Sequence, residues 1–358
     1  MDENLDRARA FGFHGDWREF APIAFTNLLL TIVTLGVYTF WARARERRYL
    51  WSQTHFIDDR LEWTGTGFEL FLGYVMAILI FGIPLGGLSF LFQILVARGE
   101  AGYGGLLFVS LYLLGMYLVG VAMFRALRYR LSRTFWHGIR GGSHSQGFGY
   151  GLSHVWRNIV GSLVFGFLVP WAMTSLWNKR WNQMSFGPDD FYSEASSSPL
   201  IGRYLLYYLL PIVLFVGAFI AAAVLGPDAA ARREDAAANG LAVGIIIYIL
   251  FFVVMGLIAL FYYSAYFREV IGSLTLGDLQ FEFDATTADW FKLMVVNIAL
   301  VVFTLGIGSI FLGYRNWRFF ITHLNAYGTV NLDEMTQSDT RAPGQGEGLL
   351  DAFDVGAF

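Results

Sequence analysis

Cysteine is missing, charge is scarce and the longest apolar runs hold almost nothing ionisable, and each absence removes a class of protein. Without a thiol there is no disulfide, thiolate zinc site, iron–sulfur cluster or cysteine nucleophile. Charged residues make up 15% of the 358, where a soluble domain carries roughly 25%. The net charge of -3 and a pI near 6.1 argue against nucleic acid as a partner. The opening stretch MDENLDRARAFGFHGDWREF is polar and mixed in sign, so no cleavable signal peptide is expected.

Catalytic signatures are lacking as well. The histidines (His14, His55, His137, His144, His154 and His323) form no His-Glu-x-x-His pair, and neither a phosphate-binding Gly-x-x-x-x-Gly-Lys-Ser/Thr loop nor a Gly-x-Ser-x-Gly elbow occurs. The sequence therefore predicts no catalytic set, no metal site and no cofactor, and reads as a non-enzyme.

What is present is apolar: 56% of residues are hydrophobic and the mean hydropathy is +0.50. A bilayer core of about 30 Å takes about 20 apolar residues in a helix. Four uncharged runs satisfy this: Leu70 to Ala97, Ala101 to Phe124, Tyr204 to Gly226 and Leu241 to Phe267. Short links near Arg98–Glu100 and over Pro227–Asn239 pair them into two helical hairpins. Gly82-x-x-x-Gly86 marks a close-contact face, and Pro84 is expected to kink its helix.

Three further segments, Pro22 to Trp41, Val155 to Trp177 and Trp290 to Leu312, carry polar stripes and internal breakers at Gly36, Pro170 and Gly306. Asn27, Thr31, Thr34 and Tyr38 step by helical spacing onto one face. Residues 11–48 and 281–318 align without a gap. Phe11-x-Phe13 meets Phe281-x-Phe283, Asn27 meets Asn297, Thr34-Leu35-Gly36 meets Thr304-Leu305-Gly306, and Arg45 and Arg48 meet Arg315 and Arg318. Matching polar residues at these spacings predict an internal duplication, with a degenerate middle copy around Phe148-x-Tyr150, Asn158 and Arg180-Trp181.

The expected fold is an all-α polytopic membrane protein. Three copies of an Asn/Thr-striped segment are separated by two transmembrane helical hairpins, with short extramembrane β elements at Leu61–Trp63 and Leu279–Phe283. The divisions are repeat unit 1 (1–67), hairpin 1 (68–124), the degenerate repeat unit 2 (125–200), hairpin 2 (201–267), repeat unit 3 (268–332) and a flexible C-terminal tail (333–358).

The stretch NLLLTIVTLGVYTFWARARERRYL resembles the YjgN-like family of bacterial inner-membrane proteins. Arg130-Leu131-Ser132-Arg133-Thr134-Phe135-Trp136, followed by Gly138-Ile139-Arg140-Gly141, is similar to a second stretch of that family. The resemblance runs from about Phe11 to Leu332. It implies an inner-membrane location and, since that family's role is unknown, no activity.

Lysine and arginine favour the cytoplasmic side of a membrane. Either all seven apolar segments cross, or only the two hairpins span while the copied segments dip in. Both arrangements put the C-terminus in the cytoplasm of a multi-pass protein. The near absence of ionisable groups in the four long runs (Glu69 and Arg203 at the edges, Gln93 inside) argues against ion coupling.

The expected function is a conduit for a small or lipidic molecule, with a structural or assembly role as the alternative. Asn27, Thr31, Thr34, Asn297 and Thr304 are the candidates for a polar stripe, either a groove or hydrogen bonds between helices. Membrane lipids are the expected partners. Arg43, Arg45, Arg48, Arg130, Arg133, Arg140, Arg315 and Arg318 are the candidates for anionic headgroups, or anchors of topology alone.

Overall fold

The computed structural model describes residues 10–230, 236–330 and 335–341. Within them the chain reverses direction in two alternating ways: a tight turn at one end of an antiparallel sheet, then a helical hairpin at the other. The first third of the chain runs β1 (Phe11–Phe13), α1 (Trp17–Val33), α2 (Thr39–Ser52), β2 (Thr54–Phe56), β3 (Asp59–Arg60), β4 (Glu62–Trp63), α3 (Gly67–Ala77), α4 (Ile83–Ala97) and α5 (Ala101–Arg133). There follow β5 (Thr134–Trp136), β6 (Ile139–Gly142), α6 (Phe148–Ser162), α7 (Val169–Trp181), β7 (Ser185–Phe186), β8 (Asp189–Ser193), α8 (Ile201–Ala230) and α9 (Ala236–Gly272). The chain then continues through β9 (Leu274–Leu276), β10 (Leu279–Phe283), α10 (Thr287–Phe303), α11 (Leu312–His323) and β11 (Leu324–Tyr327).

Strands β1 to β3 form one sheet and β4 to β11 an eight-stranded sheet, each strand pairing with its sequence neighbour. Leu61, between β3 and β4, bends the chain from one sheet into the other while its amide bonds the Thr54 carbonyl at 2.9 Å. The sheet curls until Phe11 on β1 lies 6.4 Å, ring to ring, from Phe281 on β10.

This arrangement overturns the all-α polytopic expectation. Each helical excursion leaves and returns on hydrogen-bonded strands: Phe13 opposite Thr54, Trp63 opposite Thr134, Gly142 opposite Ser185, Ser193 opposite Leu274 and Phe283 opposite Leu324. A segment whose two ends are strand partners, about 5 Å apart, cannot carry the chain across a bilayer. Among the described residues, two helices are long and apolar enough to cross a membrane, Ala101–Arg133 and Phe251–Gly272. The expected run from Leu70 to Ala97 is divided by a π-helical turn at Ile78–Gly82, and Pro84 sits at the start of α4. Proline lacks the N–H that would bond four residues back, so the break falls just before it. Of the link expected over Pro227–Asn239, residues 231–235 lie outside the described residues.

The three segments expected to be copies break in the same geometry. Leu35 and Gly36 have φ of 50° and 93°, Phe165 and Gly166 55° and 83°, and Leu305 and Gly306 53° and 92°. Two successive left-handed residues reverse the helix, and the second is glycine because it carries no Cβ penalty there. In the middle segment the break is therefore at Gly166, not at the expected Pro170, which instead opens α7, where its missing N–H costs nothing. Threonine staples two of the turns. The Thr34 hydroxyl donates to the Leu30 carbonyl (2.7 Å) and accepts the Tyr38 amide (2.9 Å). The Thr304 hydroxyl does the same with Leu300 and Gly308, both at 2.6 Å. The tips end in bare apolar side chains: Leu35 is 95% exposed, Phe165 83% and Leu305 92%.

A histidine contact beside β1 and β2 is expected to make stability depend on pH. His14 Nδ1 lies 2.9 Å from His55 Nδ1, and Arg60 Nε donates to His55 Nε2 at 3.2 Å. Burial first, then the charges of His14 and Arg60, push the His55 pKa below the ordinary histidine value. The folded state thus binds fewer protons than the unfolded chain, so stability falls as pH drops below about 6.5. Thermal melts are expected to lose more between pH 7.5 and pH 5 in the native chain than in His14→Gln. Equal losses would count against this contact as the source.

Candidate functional site: an apolar chamber with a strapped mouth

Alternation along short strands puts one apolar face inside the curl. On β10, Leu279, Phe281 and Phe283 are buried while Gln280 and Glu282 are exposed, the period of two that a strand imposes. Phe191 on β8 and Leu274 and Leu276 on β9 point the same way. With the last turns of the helices above them they enclose a cavity of about 250 Å³, walled by Phe11, Trp51, Leu131, Trp177, Trp181, Trp317 and Phe320 among others. Arg130 and Thr134 are the polar residues on its wall.

The tryptophans around this chamber are held in two ways. Trp51 stacks on Trp317 at 4.1 Å and donates from Nε1 to the Thr134 hydroxyl at 2.9 Å, while Trp317 Nε1 donates to the Thr54 hydroxyl, also at 2.9 Å. Trp136 Nε1 donates to the Phe56 carbonyl at 3.0 Å. In contrast, Nε1 of Trp177 and of Trp181 is buried with no acceptor among the described residues. A buried donor without a partner costs about 1–3 kcal/mol.

A neck joins the chamber to the tight-turn end of the sheet. Phe56, Trp136, Phe186 and Leu276 are each the last strand residue before a two-residue turn, opposite Asp59, Ile139, Asp189 and Leu279. The turns take left-handed residues, as tight hairpins require: Ile57, His137 with Gly138, Gly187 and Gly277. These four neck residues line both the chamber and a second cavity of about 350 Å³, which adds Asp189, Asp278, Thr329, Val330 and Met335. At this end His137 Nε2 meets the Asp58 carboxylate at 3.0 Å, a bond that lowers the Asp58 pKa.

The chain closes over this mouth. Residues 335–341, expected to belong to a flexible tail, dock on β6. Gln337 Oε1 accepts the Arg140 amide at 3.1 Å, and its Nε2 donates to the Gly138 carbonyl at 2.8 Å. The Arg140 guanidinium donates to the Thr340 carbonyl and hydroxyl, and Arg128 Nη2 donates to the Arg341 carbonyl at 3.3 Å. Thr340 and Ser338 are buried. Burial first, then the neighbouring Arg133 and Arg128, lowers the Arg140 pKa, so the strap's carbonyls sit where positive charge is crowded. The strap is absent from any sequence pattern because backbone carbonyls, which every residue has, form much of the contact. Residues 342–358 lie outside the described residues.

The stripe residues serve the arms of their own hairpins. Asn27, 3% exposed, donates to the Ala42 carbonyl at 3.2 Å, tying α1 to α2. Asn297 donates to Asn316 (3.0 Å) and accepts from Arg315 Nε (2.7 Å), tying α10 to α11. The Thr31 carbonyl accepts the Gly36 amide at 2.8 Å, beside the stapling Thr34, as Thr304 staples the third turn. The basic candidates divide. Arg133 pairs with Glu69 at 2.8 Å, Arg140 holds the strap, and Arg130 lines the chamber. Arg43 is half-buried on α2, where Arg45 and Arg48 are exposed, and on α11 Arg315 is half-buried and Arg318 exposed. The chamber itself escaped the sequence reading because its walls come from segments as far apart as Phe11 and Leu324. The Gly187-Pro188 and Gly277-Asp278 pairs are the turn signals that could have framed it.

The family of bacterial proteins of unknown function designated DUF898 matches residues 8–352. Inner membrane protein YjgN of Salmonella typhimurium (strain LT2) is 26% identical over 130 residues, 36% of this chain and 30% of that protein. The protein of the same name from Escherichia coli O157:H7 is 27% identical over 133 residues, 37% of this chain and 30% of its own length. That of Escherichia coli K12 is 31% identical over 74 residues, 21% of this chain and 19% of that protein. The chain therefore spans under a third of the length of the curated relatives it matches. No solved structure matches it.

Proposed function

This chain belongs to the DUF898 family of bacterial proteins of unknown function, and from that premise we propose that it is an inner-membrane protein that takes the apolar chain of a lipid or similar molecule into the chamber. One observation carries this reading: a cavity with an almost wholly apolar wall, five tryptophans around it, and two buried indole donors, those of Trp177 and Trp181, that lack an acceptor among the described residues. An apolar chain would fill the first feature. An ester or carboxyl oxygen at its head, reached by a small rotation of either indole ring, would satisfy the second.

The inner-membrane relatives and the apolar helices Ala101–Arg133 and Phe251–Gly272 support the location. Arginines and lysine gather at the sheet ends of helices, at Arg43, Arg45 and Arg48, at Arg125, Arg130 and Arg133, at Lys179 and at Arg315 and Arg318. By the positive-inside rule this supports a reading in which the sheet, the mouth and the strap face the cytoplasm. Reporter fusions after Asp58 and after Asp189, which sit at the same end of the sheet, should both report that side. We read the three broken hairpins as copies of one unit, their tips dipping into the bilayer without crossing it. With no charged residue within the runs Leu70 to Ala97, Ala101 to Phe124, Tyr204 to Gly226 and Leu241 to Phe267, such a protein would move or present its ligand without ion coupling.

The test is quenching of tryptophan emission in the purified, delipidated full chain by a brominated fatty acid. Saturable quenching is expected, and Leu131→Phe and Leu274→Phe, each filling the chamber from a different wall, should weaken it about tenfold while the protein still melts cooperatively. Overpacking of this size costs about 1–3 kcal/mol, so both variants should fold. Non-saturating quenching that neither variant changes would refute the reading.

A further inference from the structure

The second and third broken hairpins each hold a groove between their two arms. In the third, a cavity of about 560 Å³ between α10 and α11 is lined by Lys292, Arg315, Arg318 and Thr322, with Asp289 and His323 at its sheet end. The acid there is already engaged. Asp289 caps α10, accepting from the Thr286 amide at 2.9 Å and the Thr286 hydroxyl at 2.6 Å, and lies 4.0 Å from His323 Nε2. What faces the groove is therefore net positive. In the second hairpin, a cavity of about 680 Å³ between α6 and α7 is lined by Arg157, Lys179, Ser175, Asn178 and Gln183, and no acid is among its lining residues. Arg157 Nε reaches the Ser175 hydroxyl at 2.5 Å. Burial, then Arg157, holds the Lys179 pKa below the ordinary lysine value, as expected where two cations share a site without a counter-ion.

Depth, resting on the proposed dipping of the tips, supplies a second argument. A helix rises about 1.5 Å per residue, and half a bilayer core is about 15 Å. Arg315 stands ten residues from the Leu305 tip, and Arg157 eight from the Phe165 tip, or roughly 15 and 12 Å along their arms. With the tips at mid-bilayer, as proposed above, Arg315 stands at the edge of the hydrocarbon core and Arg157 about 3 Å inside it, from where their long side chains reach the lipid phosphates. Paired cations with hydroxyl and amide neighbours are the chemistry that recognises a phosphate group.

We propose that the inter-arm grooves of the second and third hairpins bind the phosphate group of anionic lipid headgroups. The sites are separate from the chamber and do not depend on its ligand.

The experiment measures thermal stabilisation of the detergent-solubilised full chain by dihexanoyl phosphatidylglycerol, dihexanoyl phosphatidylcholine and inorganic phosphate. Phosphatidylglycerol is expected to stabilise most. The pairs Lys292→Gln with Arg318→Gln, and Arg157→Gln with Lys179→Gln, should each lower its apparent affinity at least threefold, and all four together at least tenfold. Leu274→Phe, which fills the chamber, should leave the response intact. Equal responses to the two lipids, or no change in the fourfold variant, would overturn the proposal. A response to inorganic phosphate equal to that to phosphatidylglycerol would assign the grooves to soluble phosphate and overturn the lipid assignment.

Discussion

Trp51→Ala is expected to lower the melting temperature by on the order of 10 °C, from a loss of about 3–5 kcal/mol. Trp51 is 4% exposed and joins three parts of the chain. It stacks on Trp317 of α11, packs 5.0 Å from Trp63 of β4, and donates to Thr134 where α5 meets β5. Alanine would remove both ring contacts and merge the resulting hole with the chamber, so neighbouring side chains would have little to collapse upon. Trp51→Phe keeps a ring and loses the indole donor, at a cost of about 1 kcal/mol. Melting curves in one detergent separate the two variants. Equal melting of Trp51→Ala and Trp51→Phe would show that the stack is not what holds the first and third hairpins together.

Gly142→Ala is expected to lift the strap while leaving the chamber walls alone. A Cβ on Gly142 would overlap the Thr340 hydroxyl and lie 3.1 Å from the Thr340 Cβ. The segment would then lose the Arg140 contacts, hydrogen bonds to a charged group that contribute roughly 1.5–3 kcal/mol. Tryptic cleavage after Arg341 should accelerate about 10- to 100-fold, and the brominated fatty acid should reach its plateau faster. Arg140→Gln, acting from the opposite side of the same contact, should do likewise. Unchanged cleavage in both variants would mean that the strap is held elsewhere.

How much of this was legible in the sequence depends on how local each cause is. Apolar length is local, and two of the runs it marked, Ala101 to Phe124 and Leu241 to Phe267, overlap the helices that suit a membrane, but it also marked Leu70 to Ala97, which is divided into shorter helices. The breakers Gly36 and Gly306 were legible because a left-handed turn needs glycine. Phe165-Gly166 was not, since Pro170 nearby is the stronger signal although it only opens a helix. The sheet was mostly hidden. Several of its strands have two or three residues, too few for alternation to register, and only Leu279–Phe283, at five residues, and the short Leu61–Trp63 stood out. The turns at His137-Gly138 and Gly187-Pro188 carry suitable residues, but Ile57-Asp58 does not announce one. Asn27 and Asn297 were visible as costly polar groups in apolar runs, yet sequence cannot say which arm satisfies each. Chamber and strap are products of tertiary closure, and no window of the sequence contains either.

Each helical excursion begins and ends on adjacent strands of one of two antiparallel meanders. A strand–hairpin–strand module is thus neutral with respect to sidedness: inserting or deleting one leaves everything downstream on its original side. Chains built on this plan can lengthen or shorten by whole modules during evolution without the inversion that gain or loss of a single crossing would impose.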